Sequence, residues 1–238
     1  MSLRTFGWPE LQFLLLSLRW TLALALVAFV GGGLLGAVVA ALRVSRSRLV
    51  RRAMDVYITV FQGTPLLVQL LLWYYGSSFA GFTPNAWIAA ALAFAFNSAA
   101  FFGEIWRGCI EAVPRGQWDA ALALGMRHGR ALRLVILPQA LRVMVPPTIG
   151  YMVQIVKGTS VASLIGVVEI TRTAVMVNTV TFEPVPVFGT VCALYFVLCW
   201  PLSYLSERLA GGLRAGREEA ADLLGQPVPV LVARPAGG

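Results

Sequence analysis

The apolar residues of this chain form long runs, and most of the charged residues lie between them. The first run, residues 20–42, contains no charged residue over 23 positions. Because an α-helix needs about 20 mostly apolar residues to cross the hydrocarbon of a bilayer, this run predicts a membrane-spanning helix. The arginines that follow the run favour a retained helix over a cleavable signal peptide. They are Arg43, Arg46, Arg48, Arg51 and Arg52.

Two further uncharged runs predict more spans. Residues 56–103 are uncharged over 48 positions, far more than one crossing requires. Turn-forming residues in the middle divide this run into a span near 56–79 and another near 86–106. Residues 184–206 form a third uncharged run of 23 positions and predict another span. The turn-forming residues are Gly76, Ser77, Ser78, Gly81, Pro84 and Asn85.

The region 134–180 is less regular than the other apolar regions. Four charged residues divide it, and three prolines lie inside it, so a helix here must be kinked or interrupted. We predict one crossing at about 147–160, extended at its ends, followed over 161–180 by an irregular or partly inserted helix pair on the far side. This gives five spans, with a six-span arrangement as the alternative. The residues concerned are Pro138, Arg142, Pro146, Pro147, Lys157, Glu169 and Arg172.

The composition excludes an ordinary water-soluble enzyme. Of the 238 residues, 58% are hydrophobic and 13% are charged, against roughly 45–50% and 25% in soluble domains. The formal net charge is +8, and all cations but Lys157 are arginines between apolar runs, a pattern that indicates membrane topology rather than nucleic-acid binding. The three cysteines have no metal-ligand spacing and are interpreted as small core residues, and no metal site is expected.

The arginine-rich regions also predict the orientation of the spans. These regions are 43–52, 107–133 and the segment after residue 206, and the positive-inside rule places them in the cytoplasm. The N-terminus is then outside and the C-terminus cytoplasmic, which requires an odd number of spans. The sequence therefore predicts an all-α integral membrane protein with about five transmembrane helices, multi-pass in the cytoplasmic (inner) membrane and in contact with lipid.

Three regions are expected along the chain. Residues 1–19 are predicted as an interfacial segment, because Trp8 and Trp20 suit headgroup depth and Arg19 can snorkel. Residues 20–210 form the transmembrane domain. Residues 211–238 are rich in Gly, Pro and mixed charge and are predicted as a flexible cytoplasmic tail.

The loop between the third and fourth spans, residues 114–138, has the pattern of a docking element. Pro114 and Gly116 are expected to end the third span, and 117–124 to form a short helix closed by a left-handed cap at Gly125. A second helical piece over 130–137 is expected to stop at Pro138. The short helix presents small side chains that suit insertion into a groove on a partner: Ala120, Ala121 and Ala123.

This loop resembles the cytoplasmic EAA loop of ABC-transporter permeases of the binding-protein-dependent importer type. The matching residues are Asp119, Ala120 and Ala121, then Gly125, then Leu137 and Pro138. More narrowly, five phrases in order resemble the polar amino acid permease family of the histidine and glutamine importers. They lie at 63–69, 104–108, 116–121, 137–140 and 157–160, so the resemblance covers most of the chain.

The resemblance implies a type I ABC importer permease fold and a permease subunit that moves polar amino acids by alternating access. Two such permease subunits, identical or different, would form the pathway. ABC ATPase subunits would dock on the loops, and an extracytoplasmic binding protein would deliver the substrate. ATP and Mg would bind the ATPase, because this chain has no phosphate-binding GxxxxGK[ST] motif; no cofactor and no enzyme activity are expected in it. The implied ATPase-coupling residues are Gly116, Asp119, Ala120, Ala121, Gly125, Leu137 and Pro138.

Three positions depart from the pattern of that family. Asp119 replaces Glu, Gly158 stands where Asp is frequent, and Gln62 stands where Arg is common. The last two bear on the identity of the substrate. A stand-alone secondary transporter or a channel subunit for small polar solutes remains the alternative function, although such transporters usually carry inverted repeats and about twice as many spans.

Polar residues within the apolar runs are the candidates for the substrate pathway. Interrupted helices point to a midplane site, which selects 146–160. Lys157 could meet a substrate carboxylate or snorkel to the outer interface. Other polar residues line the path or form interhelical hydrogen bonds. The candidates are Thr64, Gln69, Asn97, Lys157, Thr159 and Ser160.

Other residues have predicted structural roles. Glu104 and Arg107 share a helix face near the inner end of the third span, and we interpret them as a local or intersubunit ion pair rather than as substrate contacts. Glycines in the first span predict its close packing against a neighbour: Gly31, Gly32, Gly33 and Gly36. His128, the only histidine, is predicted as a solvated loop residue.

Overall fold

The computed structural model describes residues 5–45, 47–79, 81–82 and 85–224, with the backbone alone for 214–224. Arg46, Pro84 and the tail residues 225–238 lie outside the described residues, as do residues 1–4 of the expected interfacial segment. The described chain forms helices and no strand. The α-helices are α1 (Trp8–Arg43), α2 (Arg48–Gly63), α3 (Leu66–Leu71), α4 (Ser77–Phe79), α5 (Ala86–Glu111), α6 (Arg115–Ala123), α7 (His128–Ala131), α8 (Leu137–Gly158), α9 (Ile170–Thr181) and α10 (Pro184–Leu224).

Three further helical segments, wider or tighter than an α-helix, adjoin these helices. A π-helical turn, Leu72–Gly76, joins α3 to α4, and a second, Leu132–Ile136, joins α7 to α8. A 3₁₀ segment, Thr159–Ile165, follows α8 and ends at Gly166. The region 161–180, expected as an irregular helix pair, is therefore part of this 3₁₀ segment followed by the single helix α9.

Four helical segments are long and apolar enough to cross a membrane, and a bent pair gives a fifth. The four are Trp8–Arg43, Ala86–Glu111, His128–Ile165 and Pro184–Leu213. The fifth is α2 with 66–79, and its two parts meet at an angle of 103°. About five spans are therefore present by length and composition, as the sequence predicts.

The span expected near 56–79 is present as a broken helix, because the chain bends sharply between α2 and α3. Thr64 has an extended backbone, φ −108° and ψ 139°. The ring of a following proline disfavours the helical conformation at the residue before it, so Pro65 ends α2.

Helices α1 and α10 are longer than the runs that predicted them. Helix α1 begins at Trp8 and passes Trp20 without interruption. Its 36 residues span about 54 Å, well above the ~30 Å hydrocarbon thickness. Helix α10 continues through Leu224, in contrast to the expected flexible tail from residue 211. Good helix formers such as Ala, Leu, Glu and Arg occupy much of 213–224, which favours this continuation.

Pro138 does not stop the helical piece that precedes it. The segment from His128 to Ile165 is one long helical unit in which the π turn comes just before Pro138. A proline removes one helical hydrogen bond and crowds the preceding turn, and the wider π turn accommodates both effects. The crossing expected at 147–160 is thus longer and includes all of α8.

Helices α1 and α5 pack closely through glycines. A Cβ added to Gly36 would lie 2.6 Å from the Phe102 Cβ, and one added to Gly103 would lie 2.5 Å from Val39. Gly32 faces Ser98 at similarly close range. These glycines let the two backbones approach, as expected for the first span.

The cysteines differ in their surroundings. Cys199 is buried in the core and Cys109 is half-buried, but Cys192 is exposed on α10. The expectation that all three are core residues is wrong for Cys192, because it lies on the outer face of an apolar helix.

Candidate functional site

Helix α6 is a short, capped helix between two long ones. Helix α5 ends at Glu111, and α6 begins after Pro114, so Gly116 lies in its first turn instead of breaking the third span. At the other end Gly125 has φ +76°, the left-handed conformation that the sequence predicts. Its N–H donates to the Leu122 carbonyl at 2.9 Å, and the Met126 N–H donates to Ala121 at 3.2 Å. These two bonds form a Schellman cap, which fixes the helix end.

One face of α6 is anchored to the protein and the other is free. Ala121 is buried, which corrects the expectation that it belongs to the outward ridge. Gln139 of α8 donates to the Gln117 side chain at 3.2 Å. His128 is exposed and stacks on Trp118, with ring centroids 4.5 Å apart. The face that remains open to a partner carries Asp119, Ala120, Leu122, Ala123 and Leu124.

Leu137 and Pro138 lie where α8 begins behind α6. Leu137 packs against the apolar cluster of Ile110, Ile136 and Ala140, whereas Pro138 is exposed. The docking segment is therefore anchored next to both of its ends, by Val113 before Pro114 and by Leu137 before Pro138.

A network of charged side chains joins α1, α2 and α5 at the end of α5 from which α6 departs. The Arg107 guanidinium contacts the carboxylates of Glu104 and Glu111, and Arg43 contacts Glu104. Arg43 also bonds to Asp55 at 2.6 Å. The expected pair of Glu104 and Arg107 is thus part of a larger network, whose members on α1 and α2 are too distant in sequence to be recognised by helical spacing.

A cavity of about 380 Å³ lies between the α2–α3 bend, α5 and α8. Its wall combines uncharged polar side chains with aromatic and aliphatic ones. Such a break in a helix beside a polar cavity is the usual place for a binding site in a transporter. The polar wall residues are Gln62, Thr64, Asn97, Ser98, Tyr151 and Gln154.

Hydrogen bonds connect two predicted pathway residues on the cavity wall, Thr64 and Asn97, through a third, Gln69. The Gln69 amide nitrogen lies 2.8 Å from the Thr64 hydroxyl and 3.0 Å from the Thr64 carbonyl. The Asn97 amide donates to the Gln69 side-chain carbonyl at 3.1 Å. Tyr151 donates in turn to Asn97 at 3.3 Å. Thr64, Gln69 and Asn97 are therefore brought together.

Of the six predicted pathway residues, Thr64 and Asn97 line this cavity, Gln69 bonds to both from behind the wall, and the other three lie elsewhere. Lys157 is exposed near the end of α8. Thr159 is buried and donates to the Val156 carbonyl at 2.7 Å, and Ser160 donates to the Lys157 carbonyl at 2.8 Å. Thr159 and Ser160 satisfy the backbone where α8 tightens into the 3₁₀ segment, so their local role is structural.

Ser98, Tyr151 and Gln154 are wall residues that are not among the predicted pathway residues. They satisfy the same criterion that selected Asn97, because each is polar within an apolar helix. Two positions in the membrane region differ from the pattern of the amino acid permease family, and one of them, Gln62, lines the cavity. Gly158 lies beside it, and a Cβ at this position would be 3.3 Å from Phe94 on the cavity wall.

A second polar cluster surrounds Glu169, which is fully buried. Its carboxylate accepts from the Tyr195 hydroxyl at 2.9 Å and from the Arg172 N–H, also at 2.9 Å. Thr21 on α1 donates to it at 3.4 Å. The cluster ties α1, α9 and α10 together. Among the described residues, no group of His, Cys, Asp or Glu is arranged to hold a metal ion.

Comparison with protein families gives a match over most of the chain. Residues 32–213 match the family described as "Binding-protein-dependent transport system inner membrane component". The L-cystine transport system permease protein TcyB of Bacillus subtilis (strain 168) is 36% identical over 201 residues, which are 84% of this chain and 85% of that protein. The octopine transport system permease protein OccM of Rhizobium meliloti is 39% identical over 213 residues, or 86% of this chain and 85% of OccM.

A solved structure agrees with this match. A chain from the crystal structure of an amino acid ABC transporter with histidines superposes with a TM-score of 0.79. It is 36% identical, and the match covers 82% of this chain and 92% of that chain. The architecture is that of a type I ABC importer permease. In this family the multi-pass component spans the inner membrane, and a separate ATPase subunit hydrolyses ATP. The chain therefore belongs to the family of binding-protein-dependent transport system inner membrane components.

Proposed function

We propose that this chain is the permease subunit of an ATP-driven importer that carries polar amino acids across the cytoplasmic membrane. The names of two relatives support the substrate class. Cystine is an amino acid with polar groups, and octopine is an amino-acid derivative with polar groups. The observation that carries the proposal is α6, a capped helix with one exposed face, held between two long apolar helices. Its partners are ABC ATPase subunits, a second permease subunit and an extracytoplasmic binding protein.

Helix α6 is the proposed element that transmits movement from the ATPase. Its Schellman cap and its bond to Gln139 make it a rigid body attached to α5 and α8. Closure of the ATPase dimer would displace this body and rock the two long helices against the second permease subunit. Such rocking alternates access to a site between the helices.

The exposed side of α6 supplies the proposed ATPase contacts. Asp119 and Ala120 lie on this side. Asp119 can form a charge-assisted hydrogen bond with the ATPase, and the small Ala120 side chain permits close approach of the helix. Gly116, Ala121, Leu137 and Pro138 shape and anchor the segment, and Gly125 terminates it.

The orientation that we propose places α6 in the cytoplasm and the N-terminus outside. Arginines are concentrated at the ends of helices near α6 and in the α1–α2 connection. The connection between α4 and α5 contains no charged residue, as the positive-inside rule expects for the outer side.

The function is tested by reconstituting the chain in proteoliposomes with the ATPase, the second permease and the binding protein of its own operon. Uptake of radiolabelled amino acids should require both ATP and the binding protein. A complex whose ATPase lacks its catalytic carboxylate is the control and should show no uptake. Uptake that proceeds without ATP would contradict the importer function and favour a secondary transporter.

A further inference from the structure

The cavity between the α2–α3 bend, α5 and α8 has no charged side chain among the described residues on its wall. Its polar groups are the carboxamides and hydroxyls named above. The aromatic rings of Phe61, Phe94 and Phe101 form much of the remaining surface. At about 380 Å³, the cavity is large enough for a single amino acid.

The polar part of the wall is held in place by its own hydrogen bonds. Asn97 is 7% exposed. Its amide nitrogen donates to Gln69, and its amide oxygen accepts from Tyr151. Because both ends of this carboxamide are engaged, the group cannot turn to meet a ligand without breaking a bond in a nearly dry environment.

Two other carboxamides are the groups available to a ligand. Gln154 is exposed and makes no side-chain hydrogen bond within the part of the chain that the structure describes. Gln62 donates to the Ala100 carbonyl at 3.3 Å, which leaves its oxygen open. A carboxamide supplies both donors and acceptors but no charge. These groups match a neutral polar side chain.

A zwitterion fits this environment better than a molecule with net charge. The ammonium and carboxylate groups of an amino acid compensate each other, and aromatic faces attract the ammonium. A basic or acidic side chain would add one charge with no counter-charge on the described wall. An ion without a partner at membrane depth loses its hydration and gains little in return.

We infer that this cavity accepts amino acids with uncharged polar side chains and discriminates against basic and acidic ones. The inference rests on the proposed function, because it assigns the substrate class to the pathway of that importer. It depends on the uncharged wall of the cavity and on the two carboxamides that remain available.

The test measures binding to the purified permease–ATPase complex in nanodiscs, without the binding protein. Four ligands form two pairs of similar size that differ in side-chain charge: L-glutamine with L-glutamate, and L-citrulline with L-arginine. Competition against radiolabelled L-glutamine gives their relative affinities. The neutral member of each pair should bind at least about tenfold more tightly, as expected when an unpaired charge enters a site that lacks a counter-ion.

A variant pair examines the role of charge on the wall. Gln154→Glu adds a carboxylate to the cavity and should reverse the preference between citrulline and arginine. Gln154→Asn keeps the wall neutral, so the neutral ligand of each pair should still bind more tightly while all four affinities fall. The thermal unfolding of both variants is measured first, and the comparison of the four ligands on the unchanged protein does not depend on either.

Three outcomes would overturn the inference. They are equal binding within both pairs, tighter binding of arginine or glutamate, and no binding of any of the four ligands. ATP-dependent uptake of arginine, together with its tighter binding, would overturn the inference while leaving the importer function intact. Loss of ATP dependence would instead refute the proposed function.

Discussion

At Gly125 the backbone enters the left-handed region, with φ +76°, and no atom beyond its immediate chain neighbours lies within 4 Å of the place where a Cβ would be. The glycine is required there by conformation and not by space. A left-handed residue with a side chain costs roughly 1–2 kcal/mol because its Cβ crowds the following carbonyl. Gly125 therefore fixes the direction in which the chain leaves α6.

Replacement of this single residue gives a prediction about coupling. Gly125→Ala should weaken the cap of α6 by about 1–2 kcal/mol, and it should lower both co-elution with the ATPase and ATP-dependent uptake severalfold. Gly129→Ala is the matched control, since Gly129 is also open but lies in α7 with ordinary helical geometry. Equal activity of the two variants would show that the end of α6 does not matter for coupling. The double variant Gly125→Val with Asp119→Arg should not co-elute with the ATPase.

Between elements, the approach of α1 to α5 depends on positions without side chains. The Cβ of an alanine at Gly36 would be only 2.6 Å from Phe102, whereas one at Gly33 would be 3.8 Å from the Trp106 ring. Over-packing of a tight helix interface costs typically 1–3 kcal/mol. Both sites are in the interior of the same helix, so the difference between them isolates packing.

Gly36→Ala should destabilise the folded, detergent-purified protein by about 1–3 kcal/mol, which lowers the temperature at which it is lost. Gly33→Ala should leave it unchanged or raise it, because alanine favours a helix more than glycine does. The measurement is the temperature at which half of the protein is lost from the monodisperse peak in size-exclusion chromatography. Equal loss in both variants would contradict the role assigned to Gly36.

The sequence predicts elements well where a single physical rule decides, and less well where neighbours decide. The start of α5 at Ala86 follows from the turn-forming residues before it, and the left-handed cap follows from Gly125. The bend after Gly63 could have been predicted from the sequence, because Pro65 restricts the backbone conformation of Thr64. The criterion of an uninterrupted uncharged run ignores this restriction and treats 56–79 as one helix. The passage of the helix through Pro138 depends on the π turn before it, which residue pattern alone does not reveal.

The candidate site was predictable in part for a related reason. Thr64, Gln69 and Asn97 are recognisable as polar residues within apolar helices. Their connection with Tyr151 in one hydrogen-bonded cluster depends on helix packing. The Glu169 cluster joins residues 148 positions apart in sequence, Thr21 and Glu169, and no periodicity indicates such a pair.

For the whole molecule, the charge network and α6 lie at the same end of α5. Arg43 links α1 to α2 and α5 through Asp55 and Glu104. A displacement of α6 would thus be shared among three helices instead of bending α5 alone. This end carries most of the arginines, which the proposed orientation places in the cytoplasm.

The orientation is tested with single cysteines in a background that lacks Cys109, Cys192 and Cys199. Phe82→Cys, in the uncharged connection before α5, should react with a membrane-impermeant maleimide in intact spheroplasts. Leu49→Cys, in the first turn of α2, should react only after permeabilisation. Both parent side chains are well exposed, at 71% and 79%, so the fold itself covers neither thiol. The reverse pattern would invert the topology.

Gln69 donates hydrogen bonds to carbonyls at the helix break that Pro65 introduces. Its side-chain nitrogen lies 2.8 Å from the Phe61 carbonyl and 3.0 Å from the Thr64 carbonyl, so one side chain substitutes for the backbone donors that the bend removes. Hydrocarbon offers no water for such carbonyls. The bend therefore depends on Pro65 and Gln69 together. Removal of Gln69 would take a side-chain donor from the Thr64 carbonyl and leave the Phe61 carbonyl with the longer bond from Asn97, at 3.3 Å.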